Sequence, residues 1–516
     1  MSQRIKISPQ ALVGFCVALL IGLPSLGYPL GGDTAIFDHV GTSWLRGEWP
    51  YQDLFDHKPP GIYFVHLILG GLLGTHEVGI RVAELLLVMV MGVLLGHIYS
   101  KDKPWETGGM AAAALATLYY TLFDFWATAQ TEIWLAASIF AGWAVAARTP
   151  MHQTGTFLSG ALTGFVLVFK PTAVIPAGAV FVVRIFRLRL RDKTLLPAPL
   201  LYHSLSWCTG FLLPLTLFTI AFILMGAGTD IWEAVYVFNR YYANQVHWFE
   251  ISNMEFWFRQ CRVALPLILI AGLFTAYRAR ATRNHEALLS LGIAIGLLFL
   301  AWLSILLQVK QLSYHWSLPA FFMVPLWVGA MALWKHPWNP ILCTMAFAFT
   351  NLMLFTPPKY HDSTFQQMTM SEHTAHLRAW LSGQISRSEF EHFYRRRYDV
   401  STATRCRNEI VKLAGDQATL CQLGAWNPGI YTHSQFSCPS RFFSDHVLEH
   451  MDGNPNVPVS IQDWPTEHHQ AMTANPPEFI LLDPAFRNMG PQPWFEQHWK
   501  EVTRCGENWP LLQRQP

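Results

Sequence analysis

The chain has 516 residues, of which 52% are hydrophobic and only 14% charged, against roughly 25% charged in soluble globular proteins. With a formal net charge of +2 and no basic tract, there is no electrostatic case for nucleic acid; disorder, collagen and coiled coil are excluded by the same figures. Mean hydropathy is +0.23, low for spans alone, so an apolar membrane body diluted by a polar part is expected.

A bilayer core takes about 20 mostly apolar residues per helix. In chain order such runs lie near 11–30, 78–99, 108–123, 132–147, 155–169, 172–187, 204–226, 258–277, 287–307, 317–334 and 339–356, about eleven in all. Arg4 and Lys6 precede the first, as in a signal peptide, but no small-residue cleavage site follows and an uncleaved helix is preferred. Lys101 and Lys103, then Arg148, then Arg184, Arg187, Arg189, Arg191 and Lys193, then Arg278, Arg280 and Arg283, then Lys335 occupy alternate loops. They share the side of the N-terminus, which the positive-inside rule makes cytoplasmic. An odd number of spans then puts the C-terminus outside.

Hydropathy collapses after Thr356, at Pro357-Pro358. Residues 1–356 therefore read as a transmembrane domain and 357–516 as an extracytoplasmic soluble domain. Within the latter, 419–423 and Phe479–Leu482 look like buried strands of an α/β layer. Cys16, Cys208, Cys261 and Cys343 fall in spans, and Cys406, Cys421, Cys438 and Cys505 in the tail. No C-x-x-C occurs, so the tail cysteines fit either two disulfides or buried thiols. The tail histidines His446, His450, His468 and His469 read as surface residues. Arg81 and Glu84, three apart in the second span, read as an internal ion pair.

The first outer loop carries the most chemistry. It runs for about thirty residues, and places Asp33, Asp38, His39, Asp53, Asp56, His57 and Lys58 close to the membrane face. Pro59-Pro60 stiffens the backbone directly after Lys58 and fixes that cation's direction. Polar clusters recur on the same side: Gln130-Thr131-Glu132, Lys170-Pro171, Asn239-Arg240-Tyr241-Tyr242, Lys310-Gln311 and Tyr314-His315. Singly each suits an interfacial belt; together, three Lys and several carboxylates on a cation-poor side point to anion handling.

The pattern Tyr51-x-Asp53-x-x-x-x-Lys58-Pro59-Pro60 resembles the polyprenyl-phosphate-sugar-dependent glycosyltransferases of the GT-C fold, which include lipid A aminoarabinose transferases and protein O-mannosyltransferases. The resemblance covers roughly residues 10–335. It implies a polytopic α-helical GT-C protein whose outer-loop Asp, here Asp33, is the catalytic base and whose lysine before the double proline, here Lys58, binds phosphate. Family members often follow the Asp with a second acid where this chain has Thr34, so Asp56 and Glu132 are the candidates for a second carboxylate.

Independently of the family, cytoplasmic loops no longer than about twenty residues leave no room for a nucleotide-binding α/β unit, and phosphate-binding glycine motifs are lacking. A lipid-borne sugar suits the chain better. The expected chemistry is inverting single displacement from a polyprenyl-phosphate-linked donor to a glycan, lipid or protein acceptor. Asp33 takes the acceptor proton, and Lys58, Lys310 and Lys170 meet the leaving phosphate, with Tyr314 and His315 as hydrogen-bond donors. Asp33, Asp56, His57 and Glu132 also offer ligands for a divalent metal, ranked second because the lysines already supply cationic charge. Rival readings are an O-antigen polymerase or ligase, whose Arg-rich loop tends to lie late in the chain, and a sugar transporter or lipid flippase, which favours internal repeats. The expected location is the cell inner membrane.

Overall fold

The computed structural model of the chain describes residues 8–74, 77–149, 152–191, 197–245, 257–259, 261–308, 312–334, 338–354, 368–396, 398–451, 454–483, 499–505 and 509–515, with residue 261 onward following a one-residue gap. Each of the eleven apolar stretches contains a helix. Among the described residues six helices are long and apolar enough to cross a membrane: Pro9–Gly27, Glu77–Tyr99, Pro171–Arg189, Ala198–Leu224, Ala264–Ala281 and His285–Leu307. Gly61–Leu73, Gln153–Phe169 and Asn339–Leu354 are shorter apolar helices. The helix Pro104–Leu122 is buried without interruption from Thr107 to Leu122, and Ser317–Ala332 from Ser317 to Met331. A helix enclosed on every side needs no polar stripe, which is why both read as continuous apolar runs.

The chain divides into two compact units. The first comprises Met1–Gly27, Arg81–Phe218 and Trp248–Ala375. Ser8 caps the opening helix Pro9–Gly22, its side chain accepting from the Ala11 N–H at 3.2 Å. That helix lies backbone to backbone on Pro104–Leu122: a Cβ added at Gly109 would come within 2.5 Å of the Ala11 carbonyl oxygen. Small residues permit such approach where no hydrophobic force drives helices together. A wholly buried polar network holds the turn ahead of the helix Thr131–Arg148. Arg81 pairs with Glu84 at 3.4 Å and donates to Thr128 Oγ1 at 2.9 Å and the Phe125 carbonyl at 3.2 Å. Glu84 accepts from the Tyr119 hydroxyl at 2.5 Å and from the Ala129 N–H. These bonds sustain the left-handed backbone of Ala129, φ 56°, a conformation costly for a residue with a Cβ. The expected Arg81–Glu84 pair is thus present.

The second unit comprises Tyr28–Ile80, Thr219–His247 and His376–Pro516. The expected thirty-residue first loop contains the helix Asp33–Leu45 and ends where a second helix, Gly61–Leu73, begins, each of 13 residues. Both are shorter than a span, and the former is buried from Thr34 to Ser43, so neither shows the long apolar run that hydropathy detects. The two helices pack at Gly41, where an added Cβ would come within 2.8 Å of the Tyr63 carbonyl oxygen.

The expected tail strands are β1 (Leu420–Leu423) and β2 (Phe479–Leu482), paired in parallel; β3 (Trp499–Arg504) and β4 (Pro510–Arg514) complete a sheet of order β1-β2-β4-β3. Cys421, Leu423, Met472, Ile480, Leu482 and Leu512 form its core. The amphipathic helix Val400–Ala414, capped by Asp399, buries Val400, Ala403, Cys406, Arg407 and Ile410. The tail cysteines form two disulfides, Cys406–Cys505 and Cys421–Cys438.

Within this unit the C-terminal segment grips the first. The Arg441 guanidinium donates to the Tyr51 carbonyl at 3.1 Å and to Asp230 Oδ1 at 2.9 Å, and it also bonds Glu467. The Arg441 carbonyl accepts from the Phe55 N–H at 2.8 Å. Phe55 packs on Phe442 and Trp464. Glu77 meets both His433 and Arg387. His39 stacks on Tyr431, ring centroids 4.4 Å apart, with Phe443 edge-on at 5.0 Å.

Candidate active site

Asp33 opens the helix Asp33–Leu45, directly after Gly32, whose φ of 57° no side-chain-bearing residue adopts cheaply. A first-turn carboxylate sits where the exposed N–H groups and helix dipole favour negative charge. Lys58 Nζ lies 3.2 Å from Asp33 Oδ2, with both side chains about a fifth exposed (22% and 20%). The pair is therefore desolvated in part and still reachable. Lys58's backbone is fixed independently of its ammonium: its carbonyl accepts from the Tyr51 hydroxyl at 2.7 Å, and Pro60 leads into the helix Gly61–Leu73.

Asp56 is buried two residues earlier. It accepts from the Tyr63 hydroxyl at 2.6 Å and the His57 N–H at 2.8 Å, with His57 Nδ1 at 3.3 Å. Burial pushes its carboxyl up, but the bonds from His57 and Tyr63 and the charges of His57 and Lys58 outweigh it and hold the group well below the usual carboxylate range. An anion so fastened suits shaping the turn better than carrying a proton. The His57 carbonyl accepts from Asn239 Nδ2 at 2.6 Å, and its ring packs 5.6 Å from Phe238 and from Tyr242. Part of the fourth outer cluster thereby meets the Lys58 turn.

The first unit holds a second grouping. Glu132, in the first turn of Thr131–Arg148, is buried, and its Oε1 lies 2.6 Å from Lys170 Nζ. Lys170 also stands 5.9 Å from the centre of the Tyr314 ring, and His315 is edge-on to Tyr314 at 4.6 Å. Both rings are buried in the 3₁₀ turn Ser313–Trp316. Lys310 lies outside the described residues.

Among the described residues no group of three or more His, Cys, Asp and Glu side chains is placed to hold a metal ion. The reading of the tail histidines is corrected at His468, which is buried with Nδ1 2.7 Å from Ser440 Oγ. Burial pushes its imidazole down to about 4. Trp464, His468 and Met472 are all buried on one helix, and that four-residue spacing is the signal that places His468 inward. Sequence reasoning also misses Tyr63, seven residues after Asp56, and Tyr398, whose hydroxyl accepts from the Gly32 N–H at 3.1 Å across 366 residues.

No family model and no curated protein matches the chain. Its fold is similar to that in the crystal structure of ArnT from Cupriavidus metallidurans bound to undecaprenyl phosphate, with a TM-score of 0.52 and 13% identity over 97% of each chain. The likeness extends over the C-terminal segment as well as the helical part. The chain is a multi-pass helical membrane protein of the GT-C fold with a small C-terminal sheet region.

Proposed function

We propose that this chain of GT-C fold is an integral membrane glycosyltransferase that moves a sugar, hexose or pentose, from a polyprenyl-phosphate carrier to an acceptor hydroxyl at the outer face of the cell inner membrane. The observation that carries the reading is the Asp33–Lys58 pair, 3.2 Å apart at the start of a helix and partly open to solvent. The fold likeness to an enzyme crystallised with undecaprenyl phosphate supports a carrier of that class.

In this reading the Asp33 carboxylate accepts the acceptor's hydroxyl proton as that oxygen forms its bond to the anomeric carbon. The bond from that carbon to the phosphate oxygen breaks, and the polyprenyl phosphate leaves with the electron pair. The Lys58 ammonium neutralises the charge that develops there. Asp56 keeps the Lys58 turn in shape. With Asp33 as base and no second carboxylate assigned as nucleophile, the sugar carbon inverts. Lys170, beside Glu132 and Tyr314, and Lys310 and His315 are assigned as further phosphate-handling groups. The sidedness given by the Lys and Arg loops places Asp33 and the residues from about 357 onward outside the cytoplasm.

The test is incubation of the purified protein with a panel of radiolabelled polyprenyl-phosphate sugars. Donor-dependent transfer or release of label is expected, reduced on the order of 10²-fold or more in Asp33→Asn. Activity of Asp33→Asn within tenfold of wild type would remove Asp33 from the role of base, and a cytoplasmic readout from a reporter fused after Pro516 would overturn the sidedness.

A further inference from the structure

The direction of the Asp33 side chain is set by the peptide that precedes it. Gly32 has φ 57° and ψ −130° and supplies no side-chain cap to the helix that Asp33 opens. The Thr34 hydroxyl ties back to Gly31, accepting from its N–H at 3.0 Å and donating to its carbonyl at 2.8 Å. The Gly32 N–H donates elsewhere, to the hydroxyl oxygen of Tyr398 at 3.1 Å. Tyr398 is buried and stands immediately before the Asp399 cap of the helix Val400–Ala414. Its ring is wedged against main chain: a Cβ added at Gly429 would lie 2.8 Å from Tyr398 Cε2 and 3.0 Å from its hydroxyl oxygen. Burial pushes the phenol well above its ordinary range, and the nearby Asp33 charge adds to this. The group stays neutral and acts as a fixed acceptor.

We propose that Tyr398 is a positioning residue for the reaction at Asp33: by holding the Gly32 amide it fixes the first turn of the helix and thus the direction from which the Asp33 carboxylate meets the acceptor hydroxyl. The inference rests on the assignment of Asp33 as base in the proposed function. It gives the C-terminal segment a part in the chemistry that requires no contact with substrate. A misplacement of the base of about 1 Å costs on the order of 10²-fold in rate, and loss of a backbone anchor at a glycine of positive φ frees the peptide it held.

Tyr398→Phe deletes the oxygen and nothing else. Two readouts apply to the full chain purified in detergent. In amide hydrogen exchange, the peptide spanning residues 30–36 is expected to exchange at least tenfold faster in Tyr398→Phe, with the sheet peptides unchanged. In transfer from the best polyprenyl-phosphate sugar donor, kcat is expected to fall about 10- to 100-fold with donor KM within threefold. Unchanged exchange at 30–36 overturns the proposal, as does a kcat within twofold of wild type, or a loss confined to KM. Should Tyr398→Phe fail to fold, Gly429→Ala carries the same test, because it keeps the hydroxyl and displaces the ring. If the wild-type chain transfers no sugar from any donor, the glycosyltransferase reading fails while the exchange measurement still decides whether Tyr398 anchors Gly32.

Discussion

Lys58→Met keeps the length of the side chain and removes its charge. The turn should survive, because Lys58 is held through its carbonyl by the Tyr51 hydroxyl and followed by two prolines. Two unit charges at the 3.2 Å separating Lys58 Nζ from Asp33 Oδ2 interact by about 5 kcal/mol at an effective dielectric of 20 and about 1.3 kcal/mol in water. With both side chains about a fifth exposed, an intermediate figure of about 2–3 kcal/mol applies, and a departing phosphate oxygen at comparable distance would lose the same. That corresponds to about a 30- to 150-fold fall in kcat. Lys58→Arg, which keeps the cation, should stay within about tenfold of wild type. The assay is single-turnover release of labelled sugar from a polyprenyl-phosphate donor. In the proposed mechanism base and cation act on one transition state, so Asp33→Asn/Lys58→Met should be no more than about threefold worse than Asp33→Asn. The reasoning is refuted if Lys58→Met stays within threefold of wild type, or if the two single losses multiply in full.

The two disulfides close loops of 99 and 17 residues, so chain entropy predicts losses of about 4.7 and about 3.1 kcal/mol when each is replaced by serines. Thermal melts should show Cys406→Ser/Cys505→Ser as the more damaging pair; the reverse order contradicts the loop argument. His39 and His468 are buried and neutral, pushed down from 6.5 to about 3 and about 4. Unfolded, each takes a proton below pH 6.5 and folded only near those lower values, so stability is lost as pH falls through that window. His468→Gln should flatten the loss by up to about 3 kcal/mol near pH 4, and an unchanged pH slope would refute it. Lys170→Met leaves the buried Glu132 without its partner at 2.6 Å, a loss of about 3–5 kcal/mol that Glu132→Gln/Lys170→Met should largely restore. Equal melting temperatures for the single and double variants would speak against a desolvated pair.

The long helices were legible because lipid demands about 20 apolar residues in a row, and every stretch found on that basis contains a helix. The helices Asp33–Leu45 and Gly61–Leu73 escaped the same reasoning. Each has only 13 residues; the first is buried from Thr34 to Ser43, with Asp38, His39 and Thr42 among protein atoms, whereas the second buries Gly61, Ile62, Tyr63 and His66 and exposes Leu72 and Leu73. The strands β1 and β2 were recognisable because all four residues of each are buried and, Gln422 aside, apolar. The Lys58-Pro59-Pro60 step drew attention to this turn, and the structure brings Lys58 to Asp33 across 25 positions. What holds the turn was not legible. Four tail cysteines allow three pairings, and Tyr398 and Arg441 reach back 366 and 390 residues to their partners. No local pattern encodes a contact of that range.

That range bears on how the protein is made. The segment carrying Asp33 and Lys58 leaves the ribosome early, while Tyr398, Tyr431, His433 and Arg441, which bond and pack against it in the finished unit, arrive last. At about 5–20 residues per second, 366 positions separate the Gly32 amide from its acceptor by about 20–70 s of translation. During that interval the nascent segment has its charged and aromatic side chains without their eventual neighbours, open to proteases and chaperones. A ribosome that stalls short of Tyr398 thus releases a chain with every apolar span and a Gly32–Asp33 turn that lacks its distant anchor.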